Sequence, residues 1–232
     1  AEEWGYKDSV DLAEATAYFE KRGWPTRIEL ENGLIAVLVR LENGRPIWSM
    51  TSNVDAAVSS QANQLHTGGI SGLKLDGTNM TIGEWDVGGI RGSHEQLNGR
   101  VQVMDGTTGF DFHPTHVAGI LVGDGTGNAL AKGMAPAANL QYYNNSNDAA
   151  EMVTAAAGGL ILSNHSYAFA AGWLGSSGLW FGDTTLSFKE AATAGQYSWE
   201  SWRWDQIAFD APYYLMVKGT GNWRQGSAPG DG

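Results

Sequence analysis

Apolar and polar residues follow two rhythms along this chain, and the rhythm changes near Met80. Between Asp8 and Lys21 the apolar positions Leu12, Ala15 and Phe19 recur at the spacing of one helix face. Gly23 and Pro25 stop that run. Glu-Asn-Gly then occurs twice, at 31–33 and 42–44. Asn-Gly accepts positive φ at both central positions of a tight turn, so each marks a hairpin. The flanking runs 26–31, 34–41 and 45–51 predict a three-stranded meander, and residues 1–60 read as a small α+β region. Residues 61–79, rich in Ser, Gly and Asn, read as a linker.

Over 80–232 short apolar runs alternate with stretches of small residues. Strands are expected at 80–85, 100–103, 138–143, 159–163 and 213–218. Helices are expected at 114–123, 147–157 and 201–210. This alternation argues for an α/β fold, a mostly parallel sheet with helices on both faces. Chemistry in such sheets gathers at the carboxyl ends of strands.

Three polar stations lie at such ends. Thr81-Ile-Gly-Glu-Trp-Asp86 closes on a carboxylate, and Gly88 and Gly89 follow. A carboxylate there is held rigidly and aimed at a neighbour; an Asp capping a turn has the same pattern. Asp111-Phe-His113-Pro-Thr-His116-Val-Ala-Gly119 opens a helix. Pro suits the first helical position, where no N–H partner is needed, so His113 is expected at the helix entrance and His116 one turn inside. A structural histidine is the plainer alternative. A His-x-x-His metal pair lacks the Glu of His-Glu-x-x-His and a third ligand. Tyr213-Tyr-Leu-Met-Val-Lys218 runs into Gly219-Thr-Gly221-Asn222. Small residues there admit another backbone, and an Asn amide can donate to a developing oxyanion. An ordinary turn Asn is the other reading.

Composition narrows the classes. At 232 residues and 42% hydrophobic, the chain can bury one substantial core. A net charge of -11 disfavours a nucleic-acid partner, which needs clustered Lys and Arg. The acidic balance and the absence of Cys lean toward a secreted or periplasmic protein without disulfide staples. No apolar run reaches the ~20 residues of a membrane span, so no membrane partner is expected. Ten Trp and eight Tyr also suit a secreted glycan- or protein-binding module, but many lie in predicted strands or the helix at 201–210, where core packing is ordinary.

Taken together and in order, the stations resemble the subtilisin-like serine proteases. Ile82-Gly-Glu-Trp-Asp86-Val-Gly-Gly-Ile90, continuing to His94-Glu-Gln-Leu97, resembles the segment around that family's catalytic Asp. His113-Pro-Thr-His-Val-Ala-Gly119 resembles its His-Gly-Thr-His-Val-Ala-Gly box. Ala131-Lys-Gly-Met-Ala-Pro136 resembles its Gly-Val-Ala-Pro stretch. Leu162-Ser-Asn-His-Ser-Tyr-Ala168 is similar to the strand that pairs with bound peptide, and Gly219-Thr-Gly-Asn222 to the oxyanion segment.

The resemblance covers roughly 78–232 and implies a serine endopeptidase with protein or peptide substrates. Asp86 would orient the base His113, and Asn222 would donate to the oxyanion. Ser166, Tyr167 and Ala168 would offer backbone groups to an extended substrate, and Gly219 and Gly221 would line a specificity pocket favouring apolar side chains. No cofactor is required; calcium is compatible with the acidic surface, with no loop of convincing ligand spacing. An inactive scaffold on the same fold is the alternative.

Three departures stand out. Pro114 replaces a Gly, and Trp223 follows Asn222 where small or polar residues are more familiar. The Gly-Thr-Ser-Met-Ala nucleophile motif is absent; Gly226-Ser-Ala-Pro229 follows the oxyanion segment too soon and reads as loop. The Ser is therefore expected on a C-terminal complement of the same protease that stays attached. A nick in the Gly-, Pro- and Asp-rich ending accounts for this, as would a deliberately shortened chain or a natural pseudo-enzyme. A parallel sheet lacking later strands exposes an unpaired edge, so folding without the complement is not expected.

Overall fold

The computed structural model describes residues 13–29, 35–42, 45–51, 53–167, 172–174, 179–181 and 197–219. The predicted start of the first helix, including Leu12, lies outside them. Helix α1, described over 13–20, buries Ala15 and Phe19 against Leu38. Strands β1 (Arg27–Glu29), β2 (Ile35–Glu42) and β3 (Arg45–Thr51) form an antiparallel sheet in the order β1-β2-β3. Glu42 stands opposite Arg45, the register a tight Asn-Gly hairpin requires. A helix not anticipated from the pattern, α2 (Asn53–Ser59), follows. The stretch over 61–79 is anchored by backbone bonds from Leu75 N–H to Leu65 O and from Ala137 N–H to Asp76 O.

The main unit is a five-stranded, all-parallel sheet built from β4 (Thr81–Asp86), β5 (Val101–Val103), β6 (Asn139–Asn144), β7 (Leu162–His165) and β10 (Leu215–Lys218). Its spatial order is β10-β7-β4-β6-β5, and every pairing is parallel. The chain enters at the central strand, fills one side, then crosses to the other. β4 therefore lies beside the topological switch, where open α/β sheets place their ligands. A small antiparallel pair, β8 (Gly172–Leu174) and β9 (Leu179–Phe181), stands apart.

Strand alternation splits the core between two faces. On one, Ile82, Leu140 and Tyr142 pack on Ala118 and Val122 of helix α3 (Phe112–Val122). On the other, Trp85 and Tyr143 pack on Ala149, Met152 and Ala155 of α4 (Asp148–Ala157) and Ile207 of α5 (Trp199–Asp210). The fold is α/β with a parallel sheet between helices. β10 forms one edge of the described sheet and leaves Leu215 and Val217 exposed.

Two local features set where elements begin and end. β7 starts at Leu162 rather than at the anticipated residue 159, because residues 158–160 close α4. Gly159, at φ 95, donates to Ala156 O while Leu160 N–H donates to Ala155 O, a left-handed glycine cap that satisfies carbonyls of the last turn. The last carbonyls of α3 are satisfied differently. Met134 N–H reaches Ile120 O at 2.9 Å and Ala135 N–H reaches Leu121 O at 2.8 Å, while Arg100 Nη2 donates to Val122 O at 2.6 Å. The Gly-Met-Ala-Pro segment is thus a C-terminal dock for the helix that carries His113.

A side chain at Gly133 would break that dock. An added Cβ would lie 2.7 Å from Gly123 N and 2.8 Å from Gly119 O, both backbone atoms with little room to yield. Gly133→Ala should cost about 1–3 kcal/mol, read as a lower urea midpoint; a change under about 0.5 kcal/mol would show that the dock gives way freely.

Candidate active site

Asp86 is the last residue of β4, and its side chain is completely buried. Beyond it the chain must leave the sheet and make room for the loop that starts α3. Gly88 turns at φ 78, a conformation L side chains avoid. A Cβ on Gly89 would fall 2.5 Å from Gly109 O. These glycines let the loop approach closely enough for Asp111 N–H to reach Gly89 O. Asp111 then caps α3, accepting from His113 N–H at 3.0 Å.

His113 consequently points back at the strand end. Its Nδ1–H donates to Asp86 Oδ1 over 2.7 Å. The same oxygen accepts from Val87 N–H at 2.7 Å. Tyr142 O–H and Asn144 Nδ2, both from the neighbouring β6, hold Gly88 O at 2.6 and 3.1 Å. The imidazole stays 40% exposed while the carboxylate is sealed. Its hydrogen bond to Asp86 raises the His113 pKa above the ordinary 6.5; burial opposes this, and the charges of Asp86 and Asp111 add to it. Pro114 proves to be the third helical residue rather than the first, since α3 begins at Phe112. It is tolerated because the first turn's N–H groups have no helical acceptors.

The other predicted residues divide. Ser166 and Tyr167 follow β7 directly, beside β4, and Asn164 Nδ2 donates to Ser166 Oγ at 3.0 Å. Gly219 N–H donates to His165 O at 2.9 Å, joining the ends of β10 and β7. Ala168, Gly221 and Asn222 lie outside the described residues. His116 is exposed. Among the described residues no group of three or more His, Asp or Glu side chains is placed to hold a metal ion.

Sequence reasoning missed a buried polar chain on the opposite face. Tyr214 O–H donates to Ser163 Oγ at 2.7 Å, and Ser163 Oγ lies 2.7 Å from His165 Nε2. His165 Nδ1 is 3.1 Å from Tyr167 Oη, and Tyr167 O–H donates to Asp148 Oδ2 at 2.6 Å. Read from its two ends, the chain permits one proton order: Ser163 donates to Nε2, and Nδ1–H donates to Tyr167. His165 is therefore neutral. Burial drives its pKa down to about 3, with the charge of Lys218 adding to this. The pattern was available, since Ser163, His165 and Tyr167 alternate along one strand face.

The chain matches no protein-family model and no curated protein among those compared. Its chemistry rests on its own geometry.

Two outcomes follow from these contacts. In an imidazole titration by NMR, His113 should titrate above 6.5, and Asp86→Asn should lower that midpoint; an unmoved midpoint would dissolve the pair. Because the folded value is raised, the stability it contributes is complete below 6.5 and is lost as pH rises through the folded value. His165→Phe strands Ser163 and Tyr167 and should cost about 2–4 kcal/mol in urea unfolding. A neutral effect would show that the polar chain is dispensable.

Proposed function

We propose that residues 80–232 are the front portion of a subtilisin-like serine endopeptidase, acting through an Asp-His-Ser triad whose Ser lies on a segment outside this chain. The single observation that supports this most is the Asp86–His113 hydrogen bond of 2.7 Å, made by a sealed carboxylate to a half-exposed imidazole at the end of the central strand.

In this mechanism Asp86 fixes the imidazole with its proton on Nδ1. Nε2 is then free to take the proton of a serine hydroxyl as that oxygen attacks a peptide carbonyl. The imidazolium that forms is stabilised by Asp86 and later protonates the leaving amine. Asn222, Gly221 and Ala168 take their roles from the motifs alone: oxyanion donor, pocket wall and substrate-pairing backbone. Ser166 and Tyr167 offer main-chain groups to an extended peptide, which binds as an added strand. The Tyr167 side chain itself is buried and serves the polar chain behind β7.

A second Ser–His contact, between Ser163 and His165, is unsuited to catalysis. Both residues are completely buried, and His165 uses both ring nitrogens internally. Among the described residues no serine hydroxyl is bonded to His113, in keeping with a nucleophile supplied by the attached complement. The exposed edge of β10 is where further strands of that complement would pair. Trp85 and Trp204 belong to the core, which weakens the case for a glycan-stacking surface.

Fluorophosphonate labelling of the protein as purified, resolved on a denaturing gel with mass detection, tests this function. Label is expected on a polypeptide other than the 232-residue chain. His113→Ala should depress peptidase turnover by about 10⁴–10⁶-fold, the scale for disabling a triad member in such enzymes. No label and no second polypeptide would remove the endopeptidase assignment.

A further inference from the structure

Glu84 lies two residues before Asp86 on the central strand, so both side chains leave the sheet on the same face, roughly 6.5–7 Å apart along the strand. It is completely buried, and neither carboxyl oxygen has a hydrogen-bond partner among the described residues. The neighbours that could donate are already turned elsewhere. Tyr142, its register partner on β6, gives its O–H to Gly88 O. Asn164, its register partner on β7, gives its amide to Ser166. Helix α3 covers this face with Pro114, Val117 and Ala118, all buried. Its one titratable group in the cluster, His113, is bound to Asp86. No Lys or Arg among the described residues forms an ion pair with Glu84.

Two carboxyl groups therefore share one dry face, and only one has donors. Like charges that close cannot both ionise out of water. Asp86 takes the charge because Val87 N–H and His113 Nδ1–H both point at it. We propose that Glu84 is a positioning residue for the Asp86–His113 pair: it holds a proton as the neutral acid and so leaves Asp86 as the one negative charge behind the imidazole. Burial and the neighbouring charge of Asp86 push its pKa well above 4.5. When that proton is lost at high pH, a second negative charge appears behind His113. The imidazole then holds its own proton more tightly and becomes a poorer base. For its catalytic meaning the inference rests on the endopeptidase reading; the proton coupling itself does not.

The sign for stability is fixed by the same shift. A carboxyl whose folded pKa is raised contributes fully below its unfolded value of 4.5, and that contribution is lost as pH rises through the folded value. Glu84→Gln, which stays neutral at the same size, should show a higher urea midpoint than wild type, with the gap widening from pH 4.5 up to the folded value.

The decisive experiment is carboxyl-carbon and imidazole NMR on the protein as purified, with labelled Glu and His. In wild type the Glu84 carboxyl should titrate well above 4.5, and the His113 curve should carry a second inflection at that same pH. In Glu84→Gln the second inflection should vanish while the main His113 midpoint stays. A Glu84 carboxyl titrating near 4.5, or superimposable His113 curves in the two proteins, overturns the proposal. The wild-type spectra decide it even where the variant does not fold. Failure of fluorophosphonate labelling with the coupling intact would strike the endopeptidase function and leave the proton coupling standing.

Discussion

The structure is organised around one buried carboxylate. Asp86 sits at the end of the central strand with no exposure, and a charge in that position survives only where donors converge on it. Val87 N–H and His113 Nδ1–H supply them. To bring the second donor there, the chain needs the Gly88–Gly89 turn, a capped α3 and the backbone dock formed by residues 133–135. The parallel sheet is the platform that lets these segments meet.

The two sheet faces use histidine in opposite ways. His113 has one ring nitrogen held and the other uncommitted, beside an acid that favours its charged form. His165 has both nitrogens used within a closed chain of hydroxyls and is stacked at 5.1 Å on Trp85. The first arrangement suits a base that must gain and lose a proton. The second suits a rigid support, and it braces the strand end from which Ser166 and Tyr167 emerge. Burial and hydrogen-bond accounting, rather than residue identity, separate the two Ser–His–Asp-like sets.

Much of this was legible from the chain. The order of strands and helices over 80–218 and the approach of Asp86 to His113 followed from alternation, helix-entry chemistry and motif order. The misplaced start of β7 came from reading Leu160 as strand when two preceding glycines were closing a helix. Helix α2 and the β8–β9 pair lacked a clear period. Glu84 carried a signal that went unused: a carboxylate in the middle of a strand predicted to be buried on both faces is an anomaly. The oxyanion Asn222 and its neighbours stay with the motif evidence, since they lie outside the described residues.

Of five histidines, only His113 combines an exposed ring with a buried carboxylate partner, and the central claim is that this ring works beside a nucleophilic serine. A peptidyl chloromethyl ketone with an apolar terminal residue tests that directly, because it alkylates a triad base at Nε2 once bound in the cleft. Peptide mapping after treatment should find the adduct on His113 and not on His66, His94, His116 or His165. Adducts scattered among the exposed histidines, or none at all, would contradict the account.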